Sequence, residues 1–146
     1  MTIKLTEMAD VSLGLEAQDL ETGKDTPNGH WVKMDKHRQV AAILVSEKAA
    51  TDPPGDVTLK LQQAKDADGD AAKDLAEVKL ESTTADDAVY LTVEADVADM
   101  DFANDFYYVG VHAESADNDL VAGAVIVRFK SRYMDEEDKG AIVDLS

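Results

Sequence analysis

An all-β fold, a single antiparallel β-sandwich of the jelly-roll kind, is predicted by two features of the sequence. Between about Trp31 and Phe129 the chain consists of short apolar segments, most of which alternate between apolar and polar residues. Gly, Pro, Asp and Asn turns separate these segments at intervals of roughly 8 to 15 residues. Strands do not alternate with long helical segments, so a parallel sheet is not expected. About seven or eight short strands in two packed sheets are therefore predicted.

The expected strands are rich in β-branched and alternating apolar residues. Val57, Leu59 and Leu61 alternate with polar neighbours, which is typical of a half-buried strand. The run Gln39–Ser46 is almost continuously apolar, and this pattern predicts a strand that is covered on both faces. The predicted strands are residues 30–34, 39–46, 56–65, 72–80, 88–95, 106–113 and 120–129.

One segment has a mixed signal. Ala72–Leu80 is rich in Ala, Lys, Leu and Glu, which favours a helix by intrinsic propensity. Leu75, Val78 and Leu80 also fit a strand, and the preceding Asp66–Asp70 contains the Asp-Gly pair of a tight hairpin. We interpret the segment as a strand that returns from this hairpin.

Three regions are predicted along the chain. Residues 1–27 are expected to form an extended N-terminal arm, because their large apolar residues follow neither a helical nor a strand period. A short strand near Val11–Leu15 is expected within the arm. Residues 28–133 are predicted to form the β-sandwich domain, and residues 134–146 a mobile acidic C-terminal tail. The arm is suited to packing on a neighbouring molecule, and simple fraying of the terminus is the alternative.

The composition excludes several classes of partner. The 146 residues include 31 Asp and Glu against 14 Lys and Arg, which gives a formal net charge of -17. Nucleic acids and anionic membranes attract clustered Lys and Arg, so neither is an expected partner. We interpret the acidity as a source of solubility in a salty environment; docking onto a basic partner surface is the alternative. The N-terminus lacks the pattern of a secretory signal, and no apolar stretch is long enough to span a bilayer.

No catalytic, metal or cofactor site is predicted. The chain has no cysteine, and His30, His37 and His112 lie on separate segments without zinc-site spacing. Asp66–Asp70 has alternating carboxylates, but Gly69 occupies the fourth position and not the sixth position of an EF-hand loop. A solvated hairpin tip is therefore preferred over a surface calcium site. The serines lack a Gly-x-Ser-x-Gly context, and an enzyme is not expected.

Large apolar and aromatic side chains are the candidate contacts for a protein partner. In the segment Phe106-Tyr107-Tyr108, strand alternation places Tyr107 on the face opposite the other two rings. Core packing with one exposed tyrosine is the preferred interpretation, whereas a tyrosine beside Trp31 on the surface would form an interface hot spot. The predicted partner-binding residues are Leu5, Met8, Leu13, Leu15, Trp31, Tyr107 and Tyr108.

The order of the segments also carries a family resemblance. An apolar strand pair occupies Trp31–Val45, an alternating strand occupies Val57–Ala67, and Phe106–Val111 reads Phe-Tyr-Tyr-Val-Gly-Val before an apolar strand that closes in Arg132-Tyr133. This order resembles the small structural proteins of tailed-bacteriophage heads. The resemblance covers roughly residues 28–133, and it is a pattern of segments without an invariant motif.

The resemblance implies a virion component without catalytic activity. It implies a capsid decoration or cement protein that sits on the outer capsid surface, binds the major capsid protein and opposes the pressure of packaged DNA. A homo-oligomer is implied as well, with a trimer as a candidate state, and no cofactor is expected. The strong acidity departs from the resemblance, because it suits a saline host and weighs against a DNA-facing surface. A head–tail joining or tail protein, and a calcium- or carbohydrate-binding β-sandwich module, are the alternatives.

Overall fold

The computed structural model describes residues 4–20, 30–34, 36–48, 52–83, 88–118 and 120–130. Eight strands account for most of these residues. Helical structure in the described ranges is limited to one α-helical turn, α1 (Leu5–Met8), and two 3-10 turns at Val97–Asp99 and Phe102–Asn104. The strands are β1 (Ala9–Leu20), β2 (Val32–Lys33), β3 (His37–Ser46), β4 (Gly55–Ala64), β5 (Lys73–Thr83), β6 (Tyr90–Asp96), β7 (Tyr108–Ser115) and β8 (Leu120–Lys130).

The strand order is that of a jelly roll. Sheet 1 has the order β1-β8-β3-β6 and sheet 2 the order β2-β7-β4-β5, and all neighbouring strands are antiparallel. The chain passes from one sheet to the other at every connection except the β4–β5 hairpin, which produces two interlocked Greek keys. The predicted antiparallel, jelly-roll-like β-sandwich is confirmed.

The β4–β5 hairpin forms where the Asp-Gly pair predicts it. Gly69 has a φ of 82°, which a residue without a Cβ adopts at little cost, and the Lys65 amide donates to the Asp70 carbonyl at 3.0 Å. The Asp66 carboxylate accepts hydrogen bonds from the amides of Asp68 and Asp70 at 2.9 and 3.1 Å. The segment after the hairpin is strand β5, so packing against β4 overrides its helical propensity.

The core lies between the two sheets and is built from the inward positions of their strands. Aliphatic side chains fill it, and full burial of each one contributes about 1.5–3 kcal/mol. The side chains that are completely buried include Leu15, Leu20, Leu44, Val57, Leu59, Leu61, Val109 and Ile126.

The N-terminal region differs from the expected arm. Residues 9–20 form β1, which is an edge strand of sheet 1 and pairs with β8, so they belong to the sandwich itself. The expected short strand at Val11–Leu15 is the middle of this longer strand. Its register shifts between Leu13 and Leu15, and again between Leu15 and Gln18. Such irregularities interrupt the alternation of side chains, so the apolar residues show no clean period in the sequence.

Two further expectations concern the chain ends and membranes. The predicted tail, residues 134–146, lies outside the described residues. In the described part of the chain, no helix has the length and apolar character needed to cross a membrane.

Candidate interaction surface

The outward positions of sheet 1 form three rows of side chains across its strands. Residues that lie directly opposite each other on neighbouring strands point to the same face, so the register identifies each row. In the strand order β1-β8-β3-β6, the rows are Val11–Val127–Ala41–Glu94, Leu13–Val125–Ile43–Thr92 and, from β8 onward, Gly123–Val45–Tyr90.

These rows leave a continuous apolar surface open to solvent. Val45 is 60% exposed and Tyr90 78% exposed on one side, while Val11 and Leu13 are 51% and 47% exposed on β1. Between them, Ile43, Val125 and Val127 are partly exposed, whereas Ala41 is buried. Contiguous apolar surface of this kind typically marks an interaction site. We call this surface the apolar face; it consists of Val11, Leu13, Ile43, Val45, Tyr90, Val125 and Val127.

The ionisable residues around the apolar face are mostly acidic. Glu94 ends the first row, and Asp96 lies opposite Gln39 one row further out on the same strand. At the other end of the sheet, Asp19 lies opposite Val121. Glu47 follows β3 in the outward alternation, and its amide donates to the Val121 carbonyl at 2.9 Å. We call Asp19, Glu47, Glu94 and Asp96 the acidic rim. Two basic residues lie close to this rim: Arg38, exposed at the bulge of β3 between His37 and Gln39, and Lys48, exposed directly after Glu47.

The outer face of sheet 2 has the opposite character, because polar and charged residues of both signs cover it. Lys60 lies opposite Glu77 on one side and His112 on the other, and its ammonium group is 3.2 Å from the Asp74 carboxylate. The hydrogen bond to Asp74 raises the pKa of Lys60. A hydrogen bond from the Gln62 amide, 3.0 Å long, and the bond from Lys60 lower the pKa of Asp74. These charges are mutually satisfied on the surface of the protein.

Trp31 lies on the sheet 2 side in a notch formed by two glycines. A Cβ atom added to Gly110 would lie 2.7 Å from Cδ2 and Cε3 of the indole, and one added to Gly69 would lie 2.5 Å from its Nε1. Both distances are far below van der Waals contact, so the indole packs where only glycine leaves space. The ring is half-buried. Its position ties β2 to the hairpin tip between β4 and β5.

The predicted contact residues of the N-terminal region lie in different environments in the structure. Leu13 lies on the apolar face. Leu15 is completely buried in the core, so its expected exposure to a partner is wrong. Met8 is half-buried in α1, which also includes the backbone of Leu5; the Leu5 side chain lies outside the described part.

The aromatic candidates lie apart from the apolar face. Tyr107 is 37% exposed, and its ring centroid is 5.0 Å from that of Phe102. Tyr108 is half-buried in β7 opposite Lys33 of β2, while Phe106 is buried. These positions belong to sheet 2 and its connections, whereas Leu13 belongs to sheet 1. The predicted residues therefore do not form one continuous surface.

Sequence reasoning missed most of the apolar face. Val11, Val45, Tyr90 and the two β8 valines were not among the candidates. The signal was present in the continuous apolar run Gln39–Ser46, which predicted a strand covered on both faces. Its inner face is covered by the core, but Val45 is 60% exposed on the outer face, so the prediction is wrong there.

Reactive groups do not converge in the part of the chain that the structure describes. Within it, no group of three or more His, Cys, Asp or Glu residues is placed to hold a metal ion. The histidines occupy three separate environments. His30 pairs with Glu16 at 3.2 Å, His37 with Asp10 at 2.7 Å, and His112 lies 3.8 Å from Glu114.

Comparison with known proteins gives only distant similarities. The sequence matches no protein-family model and no curated protein. Among solved structures, that of the infectious bursal disease virus Gx strain is similar with a TM-score of 0.40 and 5% identity, over 84% of this chain and 32% of that chain. The tobacco streak virus coat protein is similar with a TM-score of 0.32 and 10% identity, over 94% of this chain and 96% of that chain. This chain thus spans about a third of the length of the infectious bursal disease virus chain. TM-scores this low do not establish a common fold, and the jelly-roll assignment rests on the strand order.

Proposed function

We propose that this chain is a structural protein of a virion that decorates and stabilises the capsid of a tailed bacteriophage by binding the major capsid protein. The observation that carries the proposal is the contrast between the two outer faces of the sandwich. Sheet 1 presents the apolar face, and sheet 2 presents paired charges such as Lys60 and Asp74. A protein that attaches to a larger particle needs one surface to bind and another to face water.

The physical argument concerns the free energy of the exposed apolar side chains. Each square ångström of apolar surface removed from water contributes about 25 cal/mol of stabilising free energy. A partner that covers Val45 and Tyr90 therefore forms a complex that is stabilised by this burial. Leaving such a face in water favours association. The charged outer face of sheet 2 gains nothing comparable from burial, because its ions would lose their hydration. The molecule is therefore built to bind on one side.

The fold and the sequence resemblance support the same proposal. Jelly rolls occur in viral capsid proteins as well as in lectins and cupins, so the fold is compatible with a virion component without deciding for it. The order of segments from residue 28 to residue 133 resembles phage-head structural proteins. Acidic residues spread along the whole chain are consistent with a position on the outside of the particle, away from packaged DNA.

The test is quantitative mass spectrometry of purified particles from the virus that encodes this chain. Decoration predicts a copy number comparable with that of the major capsid protein, and particles without the chain should lose their DNA at lower temperature. A copy number corresponding to a single ring would instead identify a head–tail joining or tail protein. Purified particles that contain none of this polypeptide would contradict a structural role of either kind.

A calcium- or carbohydrate-binding module is the remaining alternative. The most acidic turn does not favour it, because the Asp66 carboxylate already accepts two backbone hydrogen bonds within the turn. Titration calorimetry with calcium chloride and with a panel of glycans decides the point. Saturable heat at micromolar concentrations of either probe would support the module, and a flat response would exclude it.

A further inference from the structure

We propose that the apolar face is the docking surface of this chain, and that it binds a protein surface with an apolar centre surrounded by Lys and Arg side chains. A second copy of this chain is not the occupant. The inference rests on the proposed function and makes it more specific, since it assigns the binding side and the chemistry of the partner.

The first step concerns the size of the apolar face. Its four strands lie about 4.8 Å apart and its three rows about 6.8 Å apart, so it spans roughly 20 by 20 Å, or about 400 Å². A specific protein interface of standard size buries about 800 Å² on each partner. The apolar face can supply the centre of such an interface, but the contact must extend over the surrounding acidic rim.

The second step concerns the charge of the area that must be included. The acidic rim brings four carboxylates to this face: Asp19, Glu47, Glu94 and Asp96. Arg38 at the bulge of β3 and Lys48 after Glu47 are fewer than these carboxylates, so acidic groups remain in excess around the apolar face. Lys33, Lys60 and Lys79 lie instead on the outer face of sheet 2. The outer face of sheet 2 thus carries charges of both signs, whereas carboxylates are in excess around the apolar face.

The third step compares the possible occupants. Two copies packed through this face would bring two acidic rims together, within chains of net charge -17 each, and like charges across an interface disfavour association. A partner with Lys and Arg around an apolar centre would pair with the same carboxylates. The charge pattern therefore favours a basic-rimmed protein partner, which in the proposed function is the capsid shell.

The experiment measures binding of the purified full chain to capsid shells from a virus that lacks its gene. Co-sedimentation is measured at about 50 and 500 mM NaCl, because ion pairs at the rim are screened by salt. We expect binding to weaken as salt increases. Val45→Glu should weaken binding about tenfold or more, because it places a charge on one of the most exposed apolar positions of the apolar face. Lys79→Gln changes the net charge by the same amount on the opposite face and should leave binding unchanged.

Val45→Thr provides a second variant, which keeps the β-branched shape suited to a strand and removes part of the apolar surface. Circular dichroism and thermal unfolding establish that each variant is folded before binding is compared. Equal binding of Val45→Glu, Val45→Thr and wild type would overturn the assignment of the docking surface while leaving the proposed function intact. Shells that do not bind the wild-type chain would contradict the proposed function itself.

Sedimentation velocity of the chain alone tests the occupant. We expect no self-association of the chain that depends on Val45, because the apolar face does not bind a second copy. A dimer that grows stronger with added salt, and that Val45→Glu abolishes, would show that the apolar face binds a second copy. That result would overturn the inference of a basic-rimmed partner.

Discussion

His37 Nε2 lies 2.7 Å from Asp10 Oδ2, and this hydrogen bond joins β3 to β1 across the intervening strand β8. The His37 side chain is only 8% exposed, whereas the Asp10 side chain is 43% exposed. Lys130 of β8 approaches the other Asp10 oxygen at 3.8 Å. The bond to His37 lowers the pKa of Asp10, with smaller contributions from the positive charges of Lys130 and Arg128. One carboxylate thus connects three strands at this end of sheet 1.

This relationship predicts how acid affects stability. A carboxyl group with a lowered pKa in the folded state stabilises the fold above its unfolded pKa of about 3.9, and this contribution is lost as pH falls through the folded value. The melting temperature should therefore decrease when the pH falls below about 4. This decrease should be smaller in Asp10→Asn than in the wild type. The exposure of Asp10 keeps the effect small because solvent screens it. Asp68→Asn in the exposed β4–β5 turn is the control, and an equally reduced decrease in both variants would contradict the role of Asp10.

The Trp31 notch leads to a second prediction. Gly110→Ala would place a Cβ 2.7 Å from the indole. Because the indole is rigid, the whole ring must move out of the notch. Overpacking of this kind costs about 1–3 kcal/mol of folding free energy. Trp31 is the only tryptophan, so its fluorescence reports the displacement directly. We expect a red-shifted emission maximum and a lower urea midpoint.

Gly123→Ala is the matched control for that measurement. Its Cβ would lie 3.3 Å from backbone atoms of Ala17, on the outer side of sheet 1 and far from the indole. The emission maximum should stay at its wild-type position even if stability changes. A red shift in Gly123→Ala equal to that in Gly110→Ala would mean that fluorescence follows overall loosening and not the notch.

The sandwich itself could be predicted from the sequence because its central strands follow simple rules. Alternation in β4 and in β6 is regular, and the Asp-Gly pair marks the hairpin at Gly69. β1 could not be recognised at its full length. Leu13 and Leu15 are two residues apart, yet Leu13 is 47% exposed and Leu15 fully buried, because the register shift between them changes the side on which the later residue lies. A sequence pattern cannot show where a strand bulges.

The interaction surface was harder to predict for a different reason. The sequence of an apolar strand such as β3 does not distinguish an outer face that is covered by its own chain from one that is exposed for a partner. Only the sheet order shows that nothing in the described chain packs over Val45. The Trp31 notch likewise depends on bringing together Gly69 and Gly110, which are distant in sequence and carry no periodic signal.

A third prediction concerns Ser115, which is fully buried at the end of β7. Its hydroxyl lies 3.1 Å from the Leu20 carbonyl at the end of β1 and 2.7 Å from the Asn118 carbonyl. Ser115→Ala removes this single donor, which serves the buried Leu20 carbonyl or the partly buried Asn118 carbonyl, and the loss costs about 1–3 kcal/mol. Urea unfolding measures the loss. Thr92→Ala, which removes a hydroxyl from an exposed position, should cost less than about 0.5 kcal/mol, and an equal loss in both would contradict a special role for Ser115.

The last prediction concerns the excess of acid. With a net charge of -17, the folded chain repels itself, and added salt shortens the range of that repulsion from about 10 Å at 0.1 M to about 3 Å at 1 M. Salt also weakens surface ion pairs such as Lys60–Asp74, but each exposed pair contributes only about 0–1 kcal/mol. Repulsion should dominate, so the melting temperature should rise between about 50 and 500 mM NaCl and then level off. A steady rise without a plateau would instead indicate exclusion of salt from the protein surface, and a fall would show that the ion pairs outweigh the repulsion.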